Sequence, residues 1–339
     1  ATWTAGSINL NATNSTGNSD PGSGTIVNRA GSVFDTGIDG LMQTSNFGGA
    51  DTGTTALFTN AGTFTKSAGT GSTTIANAFD NSGAVNVNAG KLQLGGGGTS
   101  TGAFSIAGGA TLDFNGNTHA LSGSIANAGT LSNSGATTNF SGTYTEAGGV
   151  IAVSGGLFNV NAALSSASLN LSGGTLAGTG SVTVSTLNLS GGGLSGTGDL
   201  TVTDNFTQTG GTVGRFYQNL SLTHVGDFGV GNYSAVNSLK LVASDGSLLI
   251  NDVSLVAPSV SLSGANVFLK PTTTAGSFVD SPNLTVSTPG ALVLDGSNGP
   301  AKLQSAGTMD LTVGSVNVTA GAFAASIDPT TLNLTATGD

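Results

Sequence analysis

The hexapeptide Leu169-Asn170-Leu171-Ser172-Gly173-Gly174 returns eighteen residues later as Leu187-Asn188-Leu189-Ser190-Gly191-Gly192. The same step carries Leu176 to Leu194, Val182 to Leu200 and Val184 to Val202. Eighteen residues upstream, Ile151-Ala152-Val153-Ser154-Gly155-Gly156 fills the same slots. A step of nineteen then puts Phe206 at the Leu187 position, and Gly210-Gly211-Thr212-Val213 restates the turn. Four consecutive units in register constrain this chain more than any other feature. A repeat this short buries its apolar face only by stacking on its neighbours.

Within each unit, apolar residues alternate with Ser, Thr or Asn, the period of strands with one buried face. Gly-Gly, Gly-Thr-Gly and Asn-Ser-Gly separate the strands and supply tight corners. A unit of this length has no room for the helical crossover of a βαβ connection. The chain is therefore expected to be all-β, a parallel β-solenoid with coils of about 18–20 residues, about 17 or 18 of them. Equivalent residues should meet inside as ladders about 4.8 Å apart. The expected rungs are Leu169 with Leu187, Leu171 with Leu189, Val182 with Leu200, and Val184 with Val202.

Looser turn-then-strand segments occur upstream, including Asn60-Ala61-Gly62-Thr63-Phe64, Asn81-Ser82-Gly83-Ala84-Val85 and Asn127-Ala128-Gly129-Thr130-Leu131. The expected organisation is irregular coils and loops over 1–54, regular solenoid over 55–214, and a loop or junction rich in aromatic and charged residues over 215–236. A second, open-ended block then runs over 237–339. Six of the seven prolines lie beyond residue 257, as turns and strand edges would require. The pattern is still that of a strand at Leu332-Asn333-Leu334-Thr335, so an uncovered edge is expected there. Further coils of the same polypeptide, or copies joined head to tail, would cover it.

Only 7% of the residues are charged, against a usual quarter or so, which leaves few groups for acid–base chemistry. The net charge of −10 and the scattered Lys and Arg argue against nucleic acid, which needs a concentrated basic face. Disorder is disfavoured by the 37% hydrophobic content. Cysteine is absent, and no apolar run approaches the length of a membrane helix.

Several motifs match catalytic or binding signatures by letter only. Asp35-Thr36-Gly37 and Asp51-Thr52-Gly53 have the form of an aspartic protease dyad, but the flanking chain does not make two barrel lobes, so Asp-Gly turns are the simpler reading. Gly191-Gly192-Gly193-Leu194-Ser195-Gly196 spells a dinucleotide fingerprint, yet Leu200-Thr201-Val202 reads as strand where that fingerprint needs a helix. His119 and His224 are the only histidines and lie far apart, so no local triad or histidine metal site is available. No cofactor is expected. Calcium is possible among the Asp residues, but no calcium-repeat motif supports it. Thr-x-Thr arrays of the ice-binding kind are not sustained. Arg215, Tyr217, His224 and Tyr233 fall in the one stretch dense in aromatic, basic and acidic groups. The leading reading is an aromatic plug closing a junction between coils, and these four are the candidate ligand contacts if the stretch is instead a binding site.

The segments Phe79-Asp80-Asn81-Ser82-Gly83-Ala84-Val85-Asn86-Val87, Gly108-Gly109-Ala110-Thr111-Leu112-Asp113-Phe114 and the Leu-Asn-Leu-Ser-Gly-Gly turns carry a likeness. From about residue 75 to 214 the chain resembles the passenger repeats of Gram-negative exoproteins, the filamentous haemagglutinin-like adhesins and autotransporter passengers. The resemblance implies a right-handed parallel β-helix, an extracellular or cell-surface location, and a role in adhesion, aggregation or matrix building. The expectation is a non-enzymatic shaft or filament segment. Two alternatives stay open: a glycan- or protein-binding adhesin module acting through 215–236, and a β-helical polysaccharide-degrading enzyme. A shaft predicts that Leu171→Asp is ruinous and Tyr217→Ala silent.

Overall fold

The computed structural model describes residues 1–10, 24–44, 56–214 and 217–337. Those residues contain no helix; parallel sheets stack into a β-solenoid of about 14 turns. The number is lower than the repeat suggests because the coils are not uniform. The Ile151-to-Leu169 step is 18 residues, but Leu284 lies 24 beyond Val260 and Met309 lies 25 beyond Leu284. The chain divides into two compact units, Ala1–Ser181 with Asn188–Gly193, and Val182–Leu187 with Leu194–Asp339.

In the first unit a typical coil makes three short strands, such as Ala84–Val87, Lys91–Leu94 and Gly98–Ser100. Each lies parallel to its counterpart in the next coil, Ala103–Ile106, Thr111–Phe114 and Thr118–Leu121. Burial alternates along the strands, so Val85 and Val87 point in while Ala84 and Asn86 face out. The resulting ladders are long. Leu92, Leu112, Leu131, Ile151 and Leu169 are successive register partners, all at most 2% exposed. Each buried side chain of this size contributes about 1.5–3 kcal/mol.

Aromatic geometry follows from coil spacing. Phe34 and Phe64 are register partners and stack with ring centroids 5.5 Å apart at 10°; Phe58 and Phe79 do the same at 5.3 Å and 22°. Between sheets the rings meet edge to face, as Phe58 meets Phe64 at 84°. One axial spacing thus imposes stacking along the ladder, while the angle between sheets gives the T-shaped contacts that aromatic quadrupoles favour.

The Asn residues that end the strands Thr25–Asn28, Leu57–Asn60 and Ala78–Asn81 point inward. Asn28 donates to Asn60 Oδ1 at 2.7 Å, and Asn60 donates to Asn81 Oδ1 at 2.8 Å and to the Ala84 carbonyl. Such a ladder satisfies main-chain groups that a corner would otherwise leave orphaned. Glycine is needed at these corners for two reasons. A Cβ on Gly123 would fall 1.8 Å from the Gly102 carbonyl oxygen, whereas Gly174 also has φ +64.

In the second unit the strands lengthen, reaching Asn283–Asp295, Ala301–Thr319 and Ala325–Ala336. Their corners are register shifts with inward hydroxyls: Thr288 donates to the Ala265 carbonyl at 2.7 Å and Ser305 to the Pro282 carbonyl at 2.9 Å. The stretch 215–236, expected as a loop or junction, instead holds strands Asn219–Val225 and Phe228–Gly229. Leu220 and Leu222 pair with Leu200 and Val202 on one side and with Leu239 and Leu241 on the other.

Candidate functional site

The expected ladder residues are all buried. Leu169 and Leu171 pair with Ile151 and Val153, and the Ser190 N–H donates to the Leu171 carbonyl beside Leu189. In the second unit Leu200 and Val202 pair with Leu220 and Leu222, and the Val182 N–H donates to the Asp199 carbonyl. Leu187 and Val184 are at most 1% exposed.

Of the candidate ligand contacts, Arg215 lies outside the described residues. Tyr217 and Tyr233 are each only 2% exposed. Burial pushes the Tyr217 hydroxyl well above its ordinary range and that of Tyr233 up to about 12. His224 is half-buried, its Nδ1 2.7 Å from the Phe206 carbonyl oxygen and its ring beside Phe228. Phe206 in turn packs edge-on against both Phe228 and Tyr233. Phe206, Phe228, Tyr233 and the His224 ring form an internal cluster, and Tyr217 is buried as well, so neither tyrosine presents an open face.

Asp35 sits in a strand beside Thr2, with Thr36 fully buried, whereas Asp51-Thr52-Gly53 lies outside the described residues. Gly193–Gly196 is a strand and Leu200–Gln208 another, so no helix follows the glycine run. Among the described residues no three His, Asp or Glu side chains converge in a way that could hold a metal.

Two buried polar sites in the first unit were not visible in the sequence. Lys66 is fully buried, its Nζ donating to the Ala68 carbonyl at 2.8 Å, the Ile38 carbonyl at 3.2 Å and Asp39 Oδ1 at 3.1 Å. The Gly71 N–H, and then Lys66, hold the Asp39 carboxyl below its usual range. His119 is 2% exposed against Phe114, with Nε2 3.1 Å from the Gly116 carbonyl oxygen. Burial lowers its pKa from 6.5. The unfolded chain therefore binds a proton below pH 6.5 that the folded chain resists. Stability from this group is complete above that pH and falls as the pH drops toward the depressed folded value. Thermal melts between pH 7.5 and 5 should show declining stability that His119→Phe flattens. Asp39, Asp252 and Asp295, shifted downward from 3.8, act only at lower pH.

A surface feature with the form of a site lies in the second unit. Three shallow hollows of about 230–250 Å³ adjoin one another on its outer face. Gln208 and Thr212 edge the first, which shares Asn232 and Tyr233 with the second. The second shares Ser254 and Val256 with the third, which continues over Phe278, Asp280, Lys302 and Gln304. Strand register explains the continuity: Ser254 neighbours Phe278 and then Lys302, while Val256 neighbours Asp280 and then Gln304. Two hydrogen bonds fix the upper part, from Tyr233 Oη to Gln208 Oε1 at 2.7 Å and from the Ser254 N–H to Asn232 Oδ1 at 2.7 Å. The trough runs across the strands, along the direction in which coils stack. No signal in the sequence singled out Phe278, Asp280, Lys302 and Gln304, and only the register of coils 24 residues apart brings them together.

No family model, curated protein or solved structure matches this chain.

Proposed function

We propose that this chain is a structural, non-enzymatic shaft of an extracellular bacterial surface protein, serving adhesion, aggregation or matrix building. The observation that carries the reading is the way each unit distributes its residues. Most interior positions form aliphatic and aromatic ladders, broken at a few rungs by buried polar groups such as Lys66 and His119, while many outer positions are small neutral groups that bond to one another, as Asn159 does to Asn139 and Asn188 to Asn170. Neutral, self-satisfied outer faces suit a spacer better than a reaction centre. The resemblance to exoprotein passengers supports the location.

The strand Ala325–Ala336 bears on partners. Leu332 and Leu334 are 45% and 54% exposed, although their register partners Met309 and Leu311 are buried. A further coil, of this polypeptide or of a head-to-tail copy, would complete those rungs.

Coil deletion tests the shaft reading, because Ile151-to-Leu169 and Leu157-to-Thr175 are both steps of 18 residues. Removing residues 151–168 should leave a cooperatively folded β protein one coil shorter, with surface activity intact apart from reach. Loss of that activity in a folded deletion variant would contradict it. Electron microscopy of the unmodified chain separates the two partners: filaments mean that copies pair, and discrete particles favour continuation of the polypeptide.

A further inference from the structure

We infer that the trough on the outer face of the second unit is a binding site for a linear, uncharged polysaccharide, laid along the direction in which the coils stack. It spans the coils that carry Gln208, Tyr233, Ser254, Phe278 and Lys302. Four coil-to-coil steps at about 4.8 Å make it roughly 19 Å long, the scale of an extended oligomer.

Three features select the ligand. The first is the absence of a free main-chain edge in the lower trough. Ser254–Val256, Ser277–Asp280 and Ala301–Gln304 hydrogen-bond along the trough to the coils on either side. An extended peptide, whose affinity in strand addition comes from main-chain hydrogen bonds, finds no partner there. Recognition is left to side chains.

The second feature is what those side chains are. Ser254, Asp280 and Gln304 present hydroxyl, carboxylate and amide groups, and Asp280 accepts where Ser254 and Gln304 both donate and accept. That mixture matches a polymer of hydroxyls. Phe278 is half-buried and Val256 39% exposed, so an apolar surface lies between the polar groups. It fits the C–H face of a sugar ring, and a small number of placed polar groups on an apolar floor is the usual form of a small-ligand site.

The third feature is charge. Lys302 Nζ is 3.4 Å from Asp328, and Asp280 lines the same hollow, so the lower trough holds one cation against two carboxylates. A polyanion such as an oligouronide would meet net repulsion. Above, the Tyr233 hydroxyl is already engaged by Gln208 and its ring is buried, so the ligand-selecting contacts lie in the lower trough.

The test uses the full chain and four probes, namely cellohexaose, laminarihexaose, mannohexaose and xylohexaose, with hexagalacturonate and an unstructured peptide as comparators. Calorimetry or ligand-observed NMR should show at least one neutral hexaose binding, more tightly than its trisaccharide. Asp280→Asn with Gln304→Ala should weaken it about tenfold or more, the loss of a few polar contacts. Both side chains lie outside the interior ladders, so the melting temperature should be unchanged. Phe278→Leu is the second variant, and it should also weaken binding while keeping the chain folded. The inference is overturned if no neutral hexaose binds at millimolar concentration, if the variants bind like the parent, or if the uronide or the peptide binds more tightly.

Discussion

Leu171→Asp should unfold the coils around it at temperatures where the parent chain is fully native. Leu171 is fully buried between Val153 and the Leu189 rung, so the substitution acts twice. Loss of the side chain and the resulting cavity costs about 2–5 kcal/mol. Placing a carboxylate with no partner in that interior costs several more. Together they rival the whole stability of a typical domain, about 5–15 kcal/mol. Circular dichroism melts and limited proteolysis would show it, with cleavage concentrated near residues 150–190. Ser172→Asp, one residue away on an exposed position, should shift stability by no more than about 0.5 kcal/mol. Equal effects of the two substitutions would mean that Leu171 does not face the interior.

Tyr217→Ala is the second large effect, and it reverses the expectation from sequence. An exposed loop tyrosine would be silent in a shaft. Tyr217 is instead 2% exposed, and its hydroxyl meets the Gly196 main chain. Truncating a buried aromatic ring costs about 3–5 kcal/mol. Tyr217→Phe keeps the ring and gives up only the hydroxyl contact, about 1 kcal/mol. Denaturant melts of the two variants should therefore separate by a few kcal/mol. If Tyr217→Ala melts like the parent, the ring lies at the surface and the ligand reading of 215–236 returns.

The contrast shows what in this chain could be read directly. Leu169, Leu171 and their repeats were legible because period-two alternation fixes which side of a strand is buried, and an 18-residue step fixes what stacks on what. The cluster of Phe206, Phe228 and Tyr233 was legible only as an aromatic plug weighed against a ligand site, and its strand setting was not. Aromatic and charged residues interrupt the pattern by composition, while the backbone of Asn219–Val225 continues it. Composition suggested a loop, and register kept a strand. Asn60 and Asn81 were read as turn residues, which they are, but their inward ladder depends on a coil 21 residues away. Lys66 gave no signal in sequence, since two of its three acceptors, the Ile38 carbonyl and Asp39, lie on the preceding coil and only the Ala68 carbonyl is local. The trough was hidden for the same reason: its residues are ordinary outward positions until coils of unequal length bring them side by side.

The direction of the hydrogen bonds has a mechanical meaning. Within each unit the strands lie across the stacking direction, so the bonds between successive coils run along it. A pull applied in that direction loads those bonds coil by coil instead of shearing many at once. The weakest coil yields first and releases its 18–25 residues as slack before the next is strained. At about 3.3–3.6 Å per extended residue, each release lengthens the tether by roughly 60–90 Å. Such a shaft would absorb shock in steps, dissipating work at each opening while the remaining coils keep their grip.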